Sequence, residues 1–418
     1  MQKKRYVIAG CGARGIFMFG QPLVKELSES AELVGLFDIN PMRTQYASKL
    51  LGGVPAFASF EEMMAATNPD GVIVAGKDVT HAQYVIKALQ AGKRAFSEKP
   101  LCVSPQQCRE IIAAAKASKG TLLTTHNMRY GSACRTVRNI LKSGRLGKVL
   151  FMQFDETLNR RHGADYFRRW HAVKANSGGL QIHKASHHFD MINWWAFSHP
   201  ASVRAQGGLT FYGKNNSFRG ERCLTCQHAD RCEFHVELPK NQEYKDLYQD
   251  NEPGDGYHRD GCVWRQEIDI EDQLAVQIKY ANGLDVAYTL NAYSPLESMR
   301  VVIEGTKGRL ELSSISRGTG FIGKIDVPGV ETITGEQVRL IIPGEGIQNV
   351  PLEYTDGGHG GADPLLHQDF FARDWDLPPN EMMAGLDDAI QAVLIGCAVN
   401  KSLETGQTVA VQELLNKD

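Results

Sequence analysis

The 418-residue chain has no apolar run close to the roughly twenty residues that a membrane-crossing helix requires, which argues against a membrane-spanning protein. It also has almost no excess charge. Its 46 Lys and Arg stand against 48 Asp and Glu, a net charge of -2, so nothing in the charge balance points to a nucleic acid or an anionic bilayer as partner. Internal repeats and low-complexity tracts are absent, which excludes a solenoid. The first apolar stretch starts within a few residues of Met1 and leaves no room for a secretory leader, so the protein is expected in the cytoplasm. There its nine cysteines are expected as thiols or metal ligands and not as disulfides. What is present is ordinary globular composition, 42% hydrophobic and 22% charged, in a chain long enough for two domains.

The most informative segment is the first. An apolar strand, Tyr6 to Ala9, runs into Gly10-Cys11-Gly12-Ala13-Arg14-Gly15, and Asp38 closes the next strand, Leu33 to Phe37. That order is a dinucleotide fingerprint: Gly10 permits the tight turn, Gly12 the approach of a pyrophosphate, and Gly15 the close packing of the following helix. Ala13 and Arg14 are expected against the same phosphates, at a helix N-terminus. Asp38 can accept hydrogen bonds from both adenosine ribose hydroxyls and would repel a 2′-phosphate, which favours NAD over NADP; Arg14 and Arg43 could accommodate the extra phosphate and keep NADP open.

Strands and helical segments alternate to about Thr125, the pattern of a parallel sheet with crossover helices. Helices are predicted from about Thr80 to Ala91 and from Pro105 to Lys119, the latter with Ser104 as N-cap. Beyond Val149 the pattern becomes alternating. Hairpins are predicted for Leu274 to Tyr280 with Leu284 to Leu290, and for Val301 to Glu304 with Arg309 to Leu312, which need an antiparallel sheet. The predicted architecture is therefore α/β plus α+β: a Rossmann domain over residues 1–128, then an α+β substrate-binding domain over 129–418 with an open, mainly antiparallel sheet. The second domain carries a Cys-rich insertion at about 214–266 and a C-terminal helix from about Asp387 to Leu403. Gly357 to Gly361 reads as a structured loop before a helix start at Asp363, with His359 a further site candidate.

Glu98-Lys99-Pro100 falls just past the carboxyl end of a predicted strand, the edge where open parallel sheets bind ligands. A lysine there can hydrogen-bond a hydroxyl and favour the alkoxide that develops as hydride leaves the carbon. With the glycine triplet, Asp38, the Gly178-Gly179 pair ahead of His187-His188-Phe189-Asp190 and the antiparallel second half, the chain resembles the Gfo/Idh/MocA family, relatives of glucose-fructose oxidoreductase and inositol dehydrogenase. The resemblance spans nearly the whole chain. It implies an NAD(P)-dependent oxidoreductase that transfers a hydride between nicotinamide and a secondary hydroxyl or ketone of a sugar, glycoside or cyclitol. It also implies Lys99 as the catalytic lysine, His187 as the catalytic histidine, and a homo-oligomer. His81, Glu98 and Lys99 are expected among the cofactor contacts. Two alternatives stay open: a redox-neutral glycosidase or lyase working through a transient keto-sugar, and a cofactor-binding regulator without catalysis.

His183 and His187 stand four apart, the spacing of one helix face, and a neutral imidazole can take a hydroxyl proton near neutral pH. In many relatives an aspartate stands where this chain has His183, so His183 or Lys184 is expected to tune the site instead. His188 reads as a core or surface group. Arg161, His162, Tyr166 and Arg169 sit in a stretch rich in groups that bond polyols and stack on sugar rings, and are predicted to contact a small carbohydrate substrate. Cys223, Cys226, Cys232 and Cys262 cluster in the insertion, where structural zinc is the favoured reading, with an iron-sulfur cluster or free thiols as alternatives.

Overall fold

A computed structural model describes residues 3–316 and 327–416. The chain forms two compact units. The first comprises Met1–Tyr130, Leu238–Arg259 and Gly357–Ile390; the second comprises Gly131–Glu237, Asp260–Asp356 and Gln391–Asp418.

In the first unit, β1 (Lys4–Ala9), β2 (Ala31–Phe37), β3 (Gly71–Val74), β4 (Arg94–Ser97) and β5 (Thr121–Thr124) form a parallel sheet in the order β2-β1-β3-β4-β5. Successive strands therefore turn away from β1 in opposite directions, and the crevice at its carboxyl end is the binding position in such sheets. Strands buried on both faces are continuous apolar runs, as in Gly71-Val72-Ile73-Val74, all of it buried. The helices run Asp78–Gln90 and Pro105–Ala117, and the Ser104 hydroxyl caps the second by accepting the Gln107 N–H at 3.2 Å. After Gly12 the chain enters a π-helical turn, Arg14–Gly20, and then a short α-helix, Gln21–Val24.

The third segment of this unit closes the sheet from outside. Phe371 meets the Tyr6 ring edge-on at 5.2 Å, Trp375 lies 5.9 Å from Phe96, and Thr124 pairs with Ala384 as an antiparallel bridge beyond β5. Its helix, Gly358–His367, starts ahead of the predicted Asp363, because Gly361 already bonds back to the Gly357 carbonyl. The His359 side chain lies outside the described ones.

Among the described residues the second unit holds nine strands: β6 (Val149–Asn159), β7 (Pro200–Gly208), β8 (Gln273–Tyr280), β9 (Asp285–Ser294), β10 (Glu297–Gly305), β11 (Arg309–Ser316), β12 (Gly335–Ile342), β13 (Gly346–Val350) and β14 (Val409–Ala410). Their order is β13-β12-β11-β10-β6-β9-β8-β7-β14, antiparallel except where β6 pairs with β9. Both predicted hairpins are present. Along β8 the buried residues Leu274, Val276, Ile278 and Tyr280 alternate with more exposed ones, the signature of a sheet with one covered face. The helix Ala185–Ala196 packs on the sheet through Phe189, 5.0 Å from the Tyr288 ring, and Trp195, 6.4 Å from Phe154. The C-terminal helix spans Leu386–Thr405.

Candidate active site

The glycine loop is shaped for close backbone approach. Gly10 has φ +108°, and a Cβ on it would fall 2.5 Å from the Ala75 carbonyl carbon; a Cβ on Gly15 would fall 1.9 Å from the Gly10 oxygen. Asp38 faces this loop. Its Oδ2 accepts the Cys11 N–H at 2.7 Å, while Oδ1 accepts the Asn40 N–H at 2.9 Å and Arg43 Nη1 at 3.1 Å. A carboxylate has about four acceptor positions, so capacity remains for a ribose hydroxyl. The glycine loop with its carboxylate suits a dinucleotide, and the Ala13 N–H at its helix end is donated to the Tyr248 hydroxyl at 3.0 Å.

Glu98 and Lys99 follow β4 at the same sheet edge. Glu98 is buried, and Arg14 of the glycine loop binds its Oε1 through Nε at 3.0 Å. The loop and the Lys99 turn are thereby tied together. The Lys99–Pro100 peptide is cis, and Lys99 itself is half-buried. His81 braces the turn: its Nδ1 lies 2.7 Å from the Pro100 carbonyl oxygen and its Nε2 3.2 Å from that of Gly76. Burial pushes the His81 pKa down, outweighing the Pro100 and Gly76 carbonyls, which favour the charged ring. Both ring nitrogens thus face backbone carbonyls.

In the second unit the segment predicted as one helix is broken. Helix Leu180–His183 ends at Lys184 and a new helix starts at Ala185, so His183 and His187 do not share one continuous helix face. Gly178 and Gly179, with φ +71° and +84°, make the turn ahead of the first piece. The break presents Lys184 to Glu156, with Nζ to Oε1 at 3.3 Å; His188 Nε2 lies 3.5 Å from the same oxygen, and His188 Nδ1 2.9 Å from the Tyr288 hydroxyl. Glu156 is buried on β6. Burial pushes its carboxyl up, but His188 and Lys184 outweigh that and bring it down to about 2. Lys184 is pushed up in turn, its burial overcome first by Glu156.

A second chain of bonds runs beside the first. Glu297 Oε1 lies 2.6 Å from His162 Nδ1, and His162 Nε2 lies 2.9 Å from the Tyr166 hydroxyl. Burial raises the Tyr166 pKa, with Lys184 acting against it. Tyr166, Trp170 and His171 surround His183, whose ring centre is 4.0 Å from that of His171. His162, Tyr166, His183 and Lys184 therefore form one polar cluster. Arg169 lies over the Tyr166 ring, its guanidinium paired with Asp165 at 3.0 Å. Among the described residues no hydrogen bond, ion pair or ring contact joins Arg161 to the cluster. His187 is half-buried in the first turn of its helix. Glu156 and Glu297 were missed by sequence reasoning. Glu156 had a signal: Met152, Phe154 and Leu158 are the buried positions of β6, and a carboxylate occupies the same register.

Cys223, Cys226, Cys232 and Cys262 line one cavity with Arg168 and Trp264. The N–H groups of His228 and Trp264 each point at a sulfur, of Cys226 and Cys262, at 3.4 Å, and Arg168 Nη1 lies 3.3 Å from the Cys223 sulfur. Among the described residues, however, no group of three or more His, Cys, Asp or Glu is placed to hold a metal ion, so the expected zinc finds no ready-made site. No described helix is long and apolar enough to cross a membrane.

Two family models match the chain: "Oxidoreductase family, NAD-binding Rossmann fold" over residues 4–126 and "Oxidoreductase family, C-terminal alpha/beta domain" over residues 138–411. YteT of Bacillus subtilis (strain 168), whose name carries no substrate, is 32% identical over 429 residues, covering 98% of each chain. Inositol 2-dehydrogenase of Azotobacter vinelandii is 32% identical over 146 residues, which is 34% of this chain and 43% of that one. Among solved structures, the WlbA dehydrogenase from Bordetella pertussis in complex with NADH and UDP-GlcNAcA has a TM-score of 0.67 at 18% identity, covering 98% of this chain and 99% of that one, a likeness of fold.

Proposed function

Since the chain belongs to this oxidoreductase family with an NAD-binding Rossmann domain, we propose that it oxidises a secondary hydroxyl of a sugar, glycoside or cyclitol, or reduces the corresponding ketone, with NAD as cofactor. The observation that carries the reading is the Arg14–Glu98 contact, which couples the glycine loop to the turn bearing Lys99. Gly10, Gly12, Ala13, Gly15 and Asp38 would hold the dinucleotide, and when bound it would supply the acceptor for a carbon-bound hydride. The protein's own part is to hold the hydroxyl and manage its proton. The Lys99 ammonium would donate a hydrogen bond to the hydroxyl oxygen and stabilise negative charge there, and His187 would take the proton at an imidazole nitrogen. His162, Tyr166, His183 and Lys184 would receive the substrate's other hydroxyls; inositol as the named substrate of a relative supports a polyol of this class. Family resemblance also supports a homo-oligomer working in the cytoplasm.

Lys99→Ala should still bind NADH while losing turnover, whereas unchanged turnover would remove Lys99 from the chemistry. A panel of sugars, glycosides and cyclitols read at 340 nm tests the substrate class. Net NADH formation supports the dehydrogenase; product formation without it replaces that reading with a redox-neutral one.

The four thiols enter as a staple outside the reaction. A zinc ion there would require the four sulfurs to draw together and to give up their protons, against the burial that pushes the Cys223 and Cys232 thiols up. Metal analysis of purified protein finding no stoichiometric zinc removes it.

A further inference from the structure

Residues 238–259 belong to the first unit although they lie inside the Cys-rich insertion of the sequence, and they meet the glycine loop and the residues that follow Asp38. The Tyr248 hydroxyl accepts the Ala13 N–H at 3.0 Å, and the Asn251 carbonyl accepts from Asn40 Nδ2 at 2.7 Å. Gly254 lies so close that a Cβ on it would fall 2.1 Å from the Asn40 amide oxygen. Asp255 completes the contact, its Oδ2 accepting from Arg43 Nη2 at 2.9 Å while Nη1 binds Asp38.

The result is an arginine between two carboxylates. The side chains of Arg43, Asp38 and Asp255 are only 7%, 9% and 11% exposed. Arg43 Nε is buried with no hydrogen-bond partner. Nε and Nη2 form the edge of a guanidinium that binds a phosphate in bidentate fashion, and Asp255 blocks that edge by taking Nη2. The three groups sum to one negative charge, facing a 2′-phosphate that would bring about -1.5 to -2 more. Arg14, the other cation of the loop, is engaged by Glu98.

We propose that Asp255 is a specificity-determining residue that makes the site selective for NAD: by claiming Arg43 Nη2 it keeps the ribose pocket net negative and withholds the phosphate-binding edge, so Asp38 does not exclude NADP alone. The inference rests on the cofactor reading above. Asp255→Asn keeps an acceptor for the Tyr257 N–H and removes the charge. In full-length protein titrated with NADH and NADPH by isothermal calorimetry, D255N should bind NADPH at least about tenfold more tightly than wild type, with NADH affinity changed less than about threefold. Adding Arg43→Gln should abolish the gain. Asp255→Ser serves the same comparison if the asparagine variant does not fold. An unchanged NADPH affinity in a variant that still binds NADH overturns the inference, as does a gain that survives R43Q. Wild-type protein that binds neither dinucleotide defeats the cofactor reading itself.

Discussion

Replacing Glu156 by glutamine removes one buried negative charge with almost no change in shape. In the folded protein Lys184 and His188 hold this carboxyl at about 2 against an ordinary value of 4.5, despite the burial that pushes it upward. A carboxylate with a depressed folded pKa contributes stability above its unfolded pKa and loses it as pH falls through the folded one. The drop from 4.5 to about 2 corresponds to about 3 kcal/mol at pH 7, roughly 1.4 kcal/mol near pH 3 and under about 0.5 kcal/mol at pH 2. The raised Lys184 pKa reports the same pairing from the cation's side and is not added. Protonated glutamate resembles glutamine, so the gap between wild type and E156Q should follow that curve. Trp170, Trp194, Trp195 and Trp264 all lie in the second unit, so urea unfolding followed by tryptophan fluorescence reads mainly this region. The expected result is a variant less stable by about 3 kcal/mol at pH 7, with the deficit shrinking between pH 4.5 and pH 2. A deficit below about 0.5 kcal/mol at pH 7, or one indifferent to pH, would refute the pairing as the source of the shift.

Three further outcomes follow from contacts. Gly163→Ala would place its Cβ 1.7 Å from the Ala292 carbonyl oxygen, so it should cost more than about 2 kcal/mol, measured by thermal unfolding. Gly15→Ala would force the following turn off the glycine loop and should weaken NADH binding at least about tenfold in calorimetry, with the second unit's tryptophan signal unchanged. His162→Phe keeps the ring and removes the bonds to Glu297 and Tyr166; kcat/KM should fall by about tenfold or more while NADH affinity stays put.

The dinucleotide half was legible because its signals are local: glycines that tolerate close approach, an acid ending the second strand, a serine-proline helix start. The hairpins were legible for the same reason, with turn residues at Asn282-Gly283 and Thr306-Lys307-Gly308 between alternating runs. Contacts between distant residues were not. Asp255 binds an arginine 212 positions away and Tyr248 a loop amide 235 positions away, and no local pattern encodes either. The helix break at Lys184 also escaped notice, since apolar spacing runs straight through it; the ion pair with Glu156 accompanies a break that propensity does not predict. His188 was read as a core or surface group; it is buried, and one of its ring nitrogens faces Glu156.

The discontinuous make-up of the first unit bears on how the protein is made. The ribosome delivers the five strands of the parallel sheet early, by residue 124, yet Phe370, Phe371 and Trp375, which cover Tyr6 and Phe96, emerge some 250 residues later. Until then those aromatic rings stand bare, a state that invites chaperone capture or aggregation in a nascent chain. A gene truncated after residue 130 would leave its product permanently in that state, so the nucleotide-binding half should be expressed as part of the whole polypeptide.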